Sequence, residues 1–265
     1  VHVCPADVAD AMGLVCASTC KCIVCRLFKA RGESPPLRAQ KSEAVGQLVF
    51  MDWWEWKKEP VPALATGWTG ILGALDDCSA IADAWGCTTP NGALVARFLR
   101  WLHAHYATEY KADLLWIRFD GGSYFDCSEV TAVMSELKIG REQSGEYLHY
   151  RLRIERFWQT MQRDAAAMLA YCRKGKSLFV HAALHALMVR NLIMRETKGG
   201  KSRYETATGK PPPVQLLRVF GSDMWGFVTE EQRRMLRWDK ADPKAVFGTY
   251  VGIDITKHTF LNLTI

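Results

Sequence analysis

One aspartate of this chain directly follows an apolar run and precedes two glycines. Asp120 follows the run 114–119 and precedes Gly121 and Gly122. A short apolar run bounded by turn residues is typical of a buried strand. The sequence therefore predicts a strand that delivers a carboxylate to a sharp turn at the edge of a sheet.

Two further acids stand in related settings. Asp52 ends the strand-like run 48–51, and Glu155 lies near the start of a helical stretch. Two aspartates at strand ends and one glutamate on a helix are the ligands that a two-metal phosphoryl-transfer site requires. The alternative is that some of these acids are ordinary turn residues, since the chain contains 28 Asp and Glu in total.

The electrostatics of such a trio require cations. Carboxylates about 5 Å apart repel one another by roughly 3 kcal/mol per pair at an effective dielectric constant near 20. Two Mg²⁺ or Mn²⁺ ions, which prefer hard oxygen ligands, remove this repulsion and activate both oxygens of an in-line displacement. Gly121 and Gly122 leave room for the close approach of a phosphate backbone.

Composition indicates an ordinary globular protein with a mild positive charge. The 265 residues are 49% hydrophobic and 23% charged, with a net charge of +6, which suits a polyanionic partner without requiring one. No apolar run is long enough to cross a bilayer, and no signal peptide is present, so we expect an intracellular protein with no membrane partner. The chain begins with Val rather than Met, and we expect a fragment of a longer protein.

The chain divides into three predicted parts. Residues 1–40 form a small Cys-rich head, 45–195 an α/β core, and 196–265 a basic loop with a C-terminal extension of short strands. Predicted strands cover 48–51, 71–75, 114–119, 216–220 and 245–253, and predicted helices cover 93–104, 130–137, 154–172 and 177–193. Residues 198–213 are predicted to be a loop. The last predicted helix is apolar nearly all round, so His181 and His185 on it are expected to be packing residues.

The Cys-rich head has the spacing of a zinc site. Five of the nine cysteines fall in the first 25 residues, and Cys22 and Cys25 form a C-x-x-C pair. This spacing is typical of zinc ligands. The alternative is a segment of reduced, unliganded cysteines.

Five segments resemble, in order, motifs of the integrases of copia-type LTR retrotransposons, members of the retroviral integrase group. The helix after Glu155 resembles E-R-x-N-R-T-L, and the strand before Asp120 resembles I-R-S-D-x-G-G. The remaining segments resemble the D-D-x-S-R turn, the W-x-E-A-x-x-x-A…N helix and the Y-E-x-x-T-G-K-x-P…L-R-V-F-G stretch, and they are 76–79, 179–191 and 204–221. The resemblance covers nearly the whole chain.

The resemblance implies a fold and an activity. The fold is an RNase H-like core, in which a mixed five-stranded sheet is flanked by helices. Asp52, Asp120 and Glu155 would be the catalytic acids that hold two Mg²⁺ or Mn²⁺ ions. The activity would be 3′-end processing and strand transfer on double-stranded DNA. The family also implies a homo-oligomer, association with other parts of the Pol polyprotein, and a location in cytoplasmic particles and the nucleus.

The resemblance extends to the head and to the DNA contacts. The family's N-terminal module has two His before its C-x-x-C pair, so His2 would be the second His of a zinc site with Cys22 and Cys25. The first His would lie upstream of Val1, and Cys4, Cys16 or Cys20 is an alternative fourth ligand. The predicted DNA-contact residues are Gly121, Gly122, Arg156, Gln159, Gln162, Lys198, Lys201, Arg203 and Lys210. The dense tryptophans after Asp52 either stack on bases or pack in the core, and core packing is the more common role of such residues.

The chain also departs from the family's motifs. Trp158 and Gln159 replace the Asn-Arg of the helix motif, and the residues before Glu155 differ from the usual N-G-V-A. Asp52 lacks the Gly-Pro that usually follows the first acid. Two alternatives therefore stand beside an active integrase: a diverged, inactive DNA-binding domain, and an RNase H-like nuclease that cuts without joining.

Overall fold

The computed structural model of the protein describes residues 41–56, 67–119, 122–143, 151–193, 200–235, 237–254 and 259–263. The strands within these ranges are β1 (Val49–Glu55), β2 (Gly70–Asp76), β3 (Ala82–Cys87), β4 (Trp116–Phe119), β5 (Gly140–Gln143), β6 (Asp223–Phe227), β7 (Ala245–Asp254) and β8 (Thr259–Leu263). The α-helices are α1 (Gly92–His105), α2 (Ser128–Glu136), α3 (Arg151–Cys172), α4 (Phe179–Leu192), α5 (Arg203–Thr208) and α6 (Glu230–Met235). The predicted zinc-type head, residues 1–40, lies outside the described residues.

The first five strands form one mixed sheet in the order β3-β2-β1-β4-β5. β2 is antiparallel to both of its neighbours, whereas β4 is parallel to β1 and to β5. Helices lie on both faces of this sheet. The prediction of a mixed five-stranded sheet flanked by helices is confirmed for this part of the chain.

The central strand β1 contributes to a core on each face of the sheet, because successive side chains of a strand point to opposite faces. Val49 and Met51 pack in a cluster with residues of α1 and α2. Phe50, between them, packs in a second cluster with residues of α3 and α4. The face that carries Phe50 is therefore covered by the helix that carries Glu155.

The C-terminal part forms a separate three-stranded antiparallel sheet, in the order β6-β7-β8. The strand predicted at 216–220 is wrong: Val214–Leu216 is a single 3₁₀ turn, and the strand lies later, at β6. The loop predicted at 198–213 contains the short helix α5. The Oγ of Ser202 caps α5 by accepting a hydrogen bond from the backbone N–H of Glu205.

Candidate active site

Asp52 lies where the central strand leaves the core. The three residues before it in β1 are buried, whereas Asp52 is half-buried. It pairs in register with Gly73 of β2. On the other side of β1, Met51 pairs in parallel with Phe119, the last residue of β4. Asp52 therefore lies in the middle of β1, not at the end of a strand as predicted, and it directly follows the residue at which the pairing of β1 with β4 ends.

Two N–H groups hold the carboxylate of Asp52. The backbone N–H of Trp53 donates to Oδ1 at 2.8 Å, and the indole Nε1–H of Trp158, on α3, donates to Oδ2 at 3.1 Å. Hydrogen bonds from such donors favour the ionised form of a carboxyl group. A divalent cation requires a deprotonated carboxylate as its ligand. The surroundings of Asp52 therefore fit the role of a metal ligand.

Gly73 provides the space that the Trp158 ring occupies. A Cβ atom at Gly73 would lie 2.4 Å from Cη2 and 2.6 Å from Cζ2 of Trp158. Because Gly73 is the register partner of Asp52, the indole crosses β2 beside the carboxylate that it contacts. Sequence reasoning did not identify Trp158 or Gly73 as site residues. The one available signal was that Trp158 replaces the Asn of the family's helix motif.

Glu155 lies on the same helix, three residues before Trp158, and is half-buried. Residues three apart are neighbours on one side of a helix. The hydrogen bond from Trp158 to Asp52 therefore places the side of α3 that carries Glu155 against β1. The structure thus brings together the elements that carry two of the three predicted acids.

Asp120 and Gly121 lie outside the described residues, so their predicted roles are not tested. Phe119 and Met51, the residues that precede Asp120 and Asp52 in the sequence, are register partners in the parallel pair of strands. Within the described part of the chain, no three His, Cys, Asp or Glu side chains are grouped as a metal site.

Several predicted DNA-contact residues are accessible. Arg156, Gln159 and Gln162 are exposed on α3, and their spacing of three residues places them along one side of the helix. Lys201 and Lys210 are also exposed. Their contact with DNA remains a prediction.

Two other predicted DNA-contact residues have packing roles. A Cβ atom at Gly122 would lie 2.8 Å from Cζ of Tyr124, so this glycine makes room for the Tyr124 ring. The guanidinium carbon of Arg203 lies 5.6 Å from the centroid of the Phe157 ring. Lys198 lies outside the described residues.

The tryptophans after Asp52 pack in the protein core. Trp54 stacks on Trp158 with ring centroids 6.1 Å apart, and Trp56 stacks on Phe179 with centroids 3.6 Å apart. Trp53 packs against the cluster on the opposite face of the sheet. These contacts agree with core packing rather than base stacking.

The predicted zinc ligands His2, Cys22 and Cys25 lie outside the described residues. Cys78, Cys87, Cys127 and Cys172 lie within them and are not in disulfides. No helix in the described ranges is both long enough and apolar enough to span a bilayer.

Two solved retroviral integrase structures are similar to this chain. The catalytic core domain of BIV integrase in crystal form I is 21% identical, with a TM-score of 0.47, and the match covers 61% of this chain and 93% of that one. The HTLV-2 integrase catalytic core domain in complex with magnesium, in a trimeric form, is 15% identical, with a TM-score of 0.48. That match covers 63% of this chain and 99% of the HTLV-2 chain. No protein-family model and no curated protein matches the sequence.

Proposed function

We propose that this chain is the integrase of a copia-type LTR retrotransposon. It would be a metal-dependent polynucleotidyl transferase that trims the 3′ ends of the element's cDNA and joins them to target DNA. The observation that carries the proposal is the hydrogen bond from Trp158 to Asp52, which fastens the helix bearing Glu155 to the strand bearing Asp52. The order of the five motif segments along the chain gives independent support.

Asp52, Asp120 and Glu155 would hold two Mg²⁺ or Mn²⁺ ions. When bound, these ions would neutralise charge on the phosphodiester and lower the pKa of the attacking water or 3′-hydroxyl. The protein's own contribution at Asp52 is to hold the carboxylate in place. The N–H groups of Trp53 and Trp158 fix both oxygens of Asp52, and such outer contacts orient the ligands of a metal site.

Double-stranded DNA would bind beside this cleft. The exposed residues Arg156, Gln159 and Gln162 lie on the helix that carries Glu155, and they would contact the phosphates next to the scissile bond. The remaining proposed contacts are Gly121, Gly122, Lys198, Lys201, Arg203 and Lys210. Contacts of Lys and Arg with phosphates release counterions, so we expect binding to weaken steeply with salt.

The remaining parts of the proposal concern assembly and location. The protein would act as a homo-oligomer, together with other parts of a Pol polyprotein, in cytoplasmic particles and the nucleus. Residues 1–40 would form a zinc module with His2, Cys22 and Cys25 as ligands. Residues 45–195 would form the catalytic core, and 196–265 the basic loop and C-terminal extension.

A strand-transfer assay with Mn²⁺ and a labelled duplex tests the activity. We expect the chain to join the duplex to target DNA, and Glu155→Gln to lower the rate by roughly 1,000-fold, because a metal ligand supports several kcal/mol of transition-state stabilisation. Glu136→Gln, at an exposed glutamate of α2, is the matched control and should keep the wild-type rate. Wild-type activity in Glu155→Gln would contradict the assignment.

The same assay separates two other candidate functions. A nuclease of this fold would give shortened strands without joined products. An inactive DNA-binding domain would retard the duplex in a gel and give neither product. The inactive candidate is favoured by one observation in the sequence: Trp158 and Gln159 stand where the family's helix motif has Asn-Arg.

A further inference from the structure

We propose that the buried ion pair between Asp77 and Arg153 positions Glu155, an inference that rests on the proposed function. Arg153 is the third residue of α3, two residues before Glu155. Asp77 follows directly after β2, and its side chain is only 2% exposed. The ion pair therefore joins the first turn of α3 to the end of β2.

Hydrogen bonds to backbone groups hold the turn that carries Asp77 in place. Oδ2 of Asp77 accepts a hydrogen bond from the backbone N–H of Ser42 at 2.6 Å, and the Asp77 N–H donates to the carbonyl of Leu48 at 2.9 Å. The neighbouring Asp76 is also buried and accepts a hydrogen bond from the N–H of Gly46 at 2.8 Å. Because both aspartates are tied to backbone, the partner of Arg153 is held in one position.

Arg153 also reaches the strand that carries Asp52. Its guanidinium carbon lies 5.9 Å from the centroid of the Phe50 ring, and that of Arg118 lies 5.6 Å from the same ring. Phe50 lies two residues before Asp52 in β1, and residues two apart in a strand share a face. One side chain therefore links the first turn of α3 to two strands of the sheet.

The Asp77–Arg153 ion pair and the Trp158 hydrogen bond attach α3 to the sheet at different positions. The hydrogen bond to Asp52 holds the helix at Trp158, one turn after Glu155, whereas the ion pair holds it at Arg153, before Glu155. The first turn of a helix lacks part of its internal hydrogen bonding. Loss of the ion pair therefore removes a restraint on the first turn of α3, close to Glu155, while the rest of α3 stays packed. Metal ligands tolerate shifts of only about 0.5 Å.

The same helix contains a matched control. Asp164, further along α3, pairs with Arg190 of α4. In the control pair the Asp164 side chain is 1% exposed and the Arg190 side chain 28% exposed. In the proposed pair the Asp77 side chain is 2% exposed and the Arg153 side chain 27% exposed. The two pairs match in burial and charge, and they differ in their distance along the helix from Glu155.

The experiment compares Arg153→Met with Arg190→Met in the 265-residue chain. Mn²⁺ affinity is measured by electron paramagnetic resonance, thermal stability by circular dichroism, and kcat and KM for DNA in the strand-transfer assay. We expect both variants to lose similar thermal stability. Arg153→Met should weaken Mn²⁺ binding by about tenfold, as loss of an outer-shell partner does, and lower kcat with little change in KM. Arg190→Met should keep the wild-type Mn²⁺ affinity, and Arg153→Lys, which retains the charge, should recover part of the loss.

Equal effects of Arg153→Met and Arg190→Met on Mn²⁺ affinity, or no effect of either, would overturn the inference while leaving the proposed function intact. Absence of Mn²⁺ binding in the wild-type chain would overturn the proposed function itself, and the inference with it. If Arg153→Met does not fold, the same comparison is made between Arg153→Lys and Arg190→Lys, with a smaller expected difference and the same criterion.

Discussion

The position of an acid directly after an apolar run is a local property that can be recognised in the sequence. Asp52 follows such a run, but β1 continues to Glu55, so Asp52 lies in the middle of the strand rather than at its end. Its role as a metal ligand stays a prediction. The side chain that holds Asp52 was not predicted, because Trp158 is 106 positions away. The contact between Trp158 and Gly73 could not be predicted either, because a glycine in an apolar strand does not indicate which aromatic ring packs over it.

The hydrogen bond to Asp52 can be tested by Trp158→Phe, which keeps an aromatic ring and removes the N–H donor. We expect the free energy of unfolding to fall by about 2 kcal/mol, since hydrogen bonds to charged groups contribute on this scale. Urea denaturation provides the measurement. Trp225→Phe, at a tryptophan that is 69% exposed, is the control, and equal small losses in the two variants would refute the contact.

At the scale of elements, strongly patterned segments were predictable and weakly patterned ones were not. The apolar runs of β1 and β2 and the apolar stripes of α1, α3 and α4 gave their positions to within a few residues. β5, with the sequence GREQ, has no apolar pattern and becomes a strand through its parallel pairing with β4. α5 was missed although Ser202 and Glu205 have the spacing of a capping box, because the surrounding Gly, Lys and Pro residues favoured a loop.

The helix α4 carries two histidines that were correctly predicted to pack in the core. His181 stacks on Trp68 with centroids 4.8 Å apart, and His185 makes an edge-on contact with Tyr250 of β7 at 5.4 Å. Burial lowers the pKa of His181 to about 4 and the pKa of His185 to about 3. Both side chains are therefore neutral in the folded protein at physiological pH.

These lowered pKa values predict a loss of stability in acid. The unfolded chain binds a proton at each histidine near pH 6.5, whereas folded His185 does so only near pH 3. Protonation of these histidines therefore does not lower the free energy of unfolding above about pH 6.5, and it lowers it progressively as the pH decreases from 6.5 toward 3. When the pH is lowered from 7 to 4, we expect the free energy of unfolding to fall in both proteins, but by about 3 kcal/mol less in His185→Leu than in the wild type. Urea denaturation at both pH values provides the measurement. His103→Leu, on α1, is the control, and a pH dependence of His185→Leu parallel to that of the wild type would contradict the assignment.

At the scale of the whole molecule, the sheet order brings together residues that are distant in the sequence. β4 lies parallel to β1 although residues 56–115 separate the two strands in the sequence. The helix α3 covers the face of β1 that carries Phe50. The expectation of a mixed five-stranded sheet came from the order of the motif segments along the whole chain. Local helix and strand propensities do not specify which strands pair. The guanidinium contacts around Phe50 could not be predicted in this way, because they join side chains from three elements and follow no sequence pattern.

The proposed function requires the claim that Asp52, Asp120 and Glu155 together hold divalent ions. Titration of the 265-residue chain with Mg²⁺ by isothermal calorimetry tests this claim. Asp120→Asn is the test variant, and Asp126→Asn, at an exposed aspartate in the turn that follows, is its control. We predict that the wild type and Asp126→Asn bind Mg²⁺ alike and that Asp120→Asn binds at least about tenfold more weakly. A wild-type chain that binds no Mg²⁺, or an Asp120→Asn variant that binds it as tightly as the wild type, would contradict the claim.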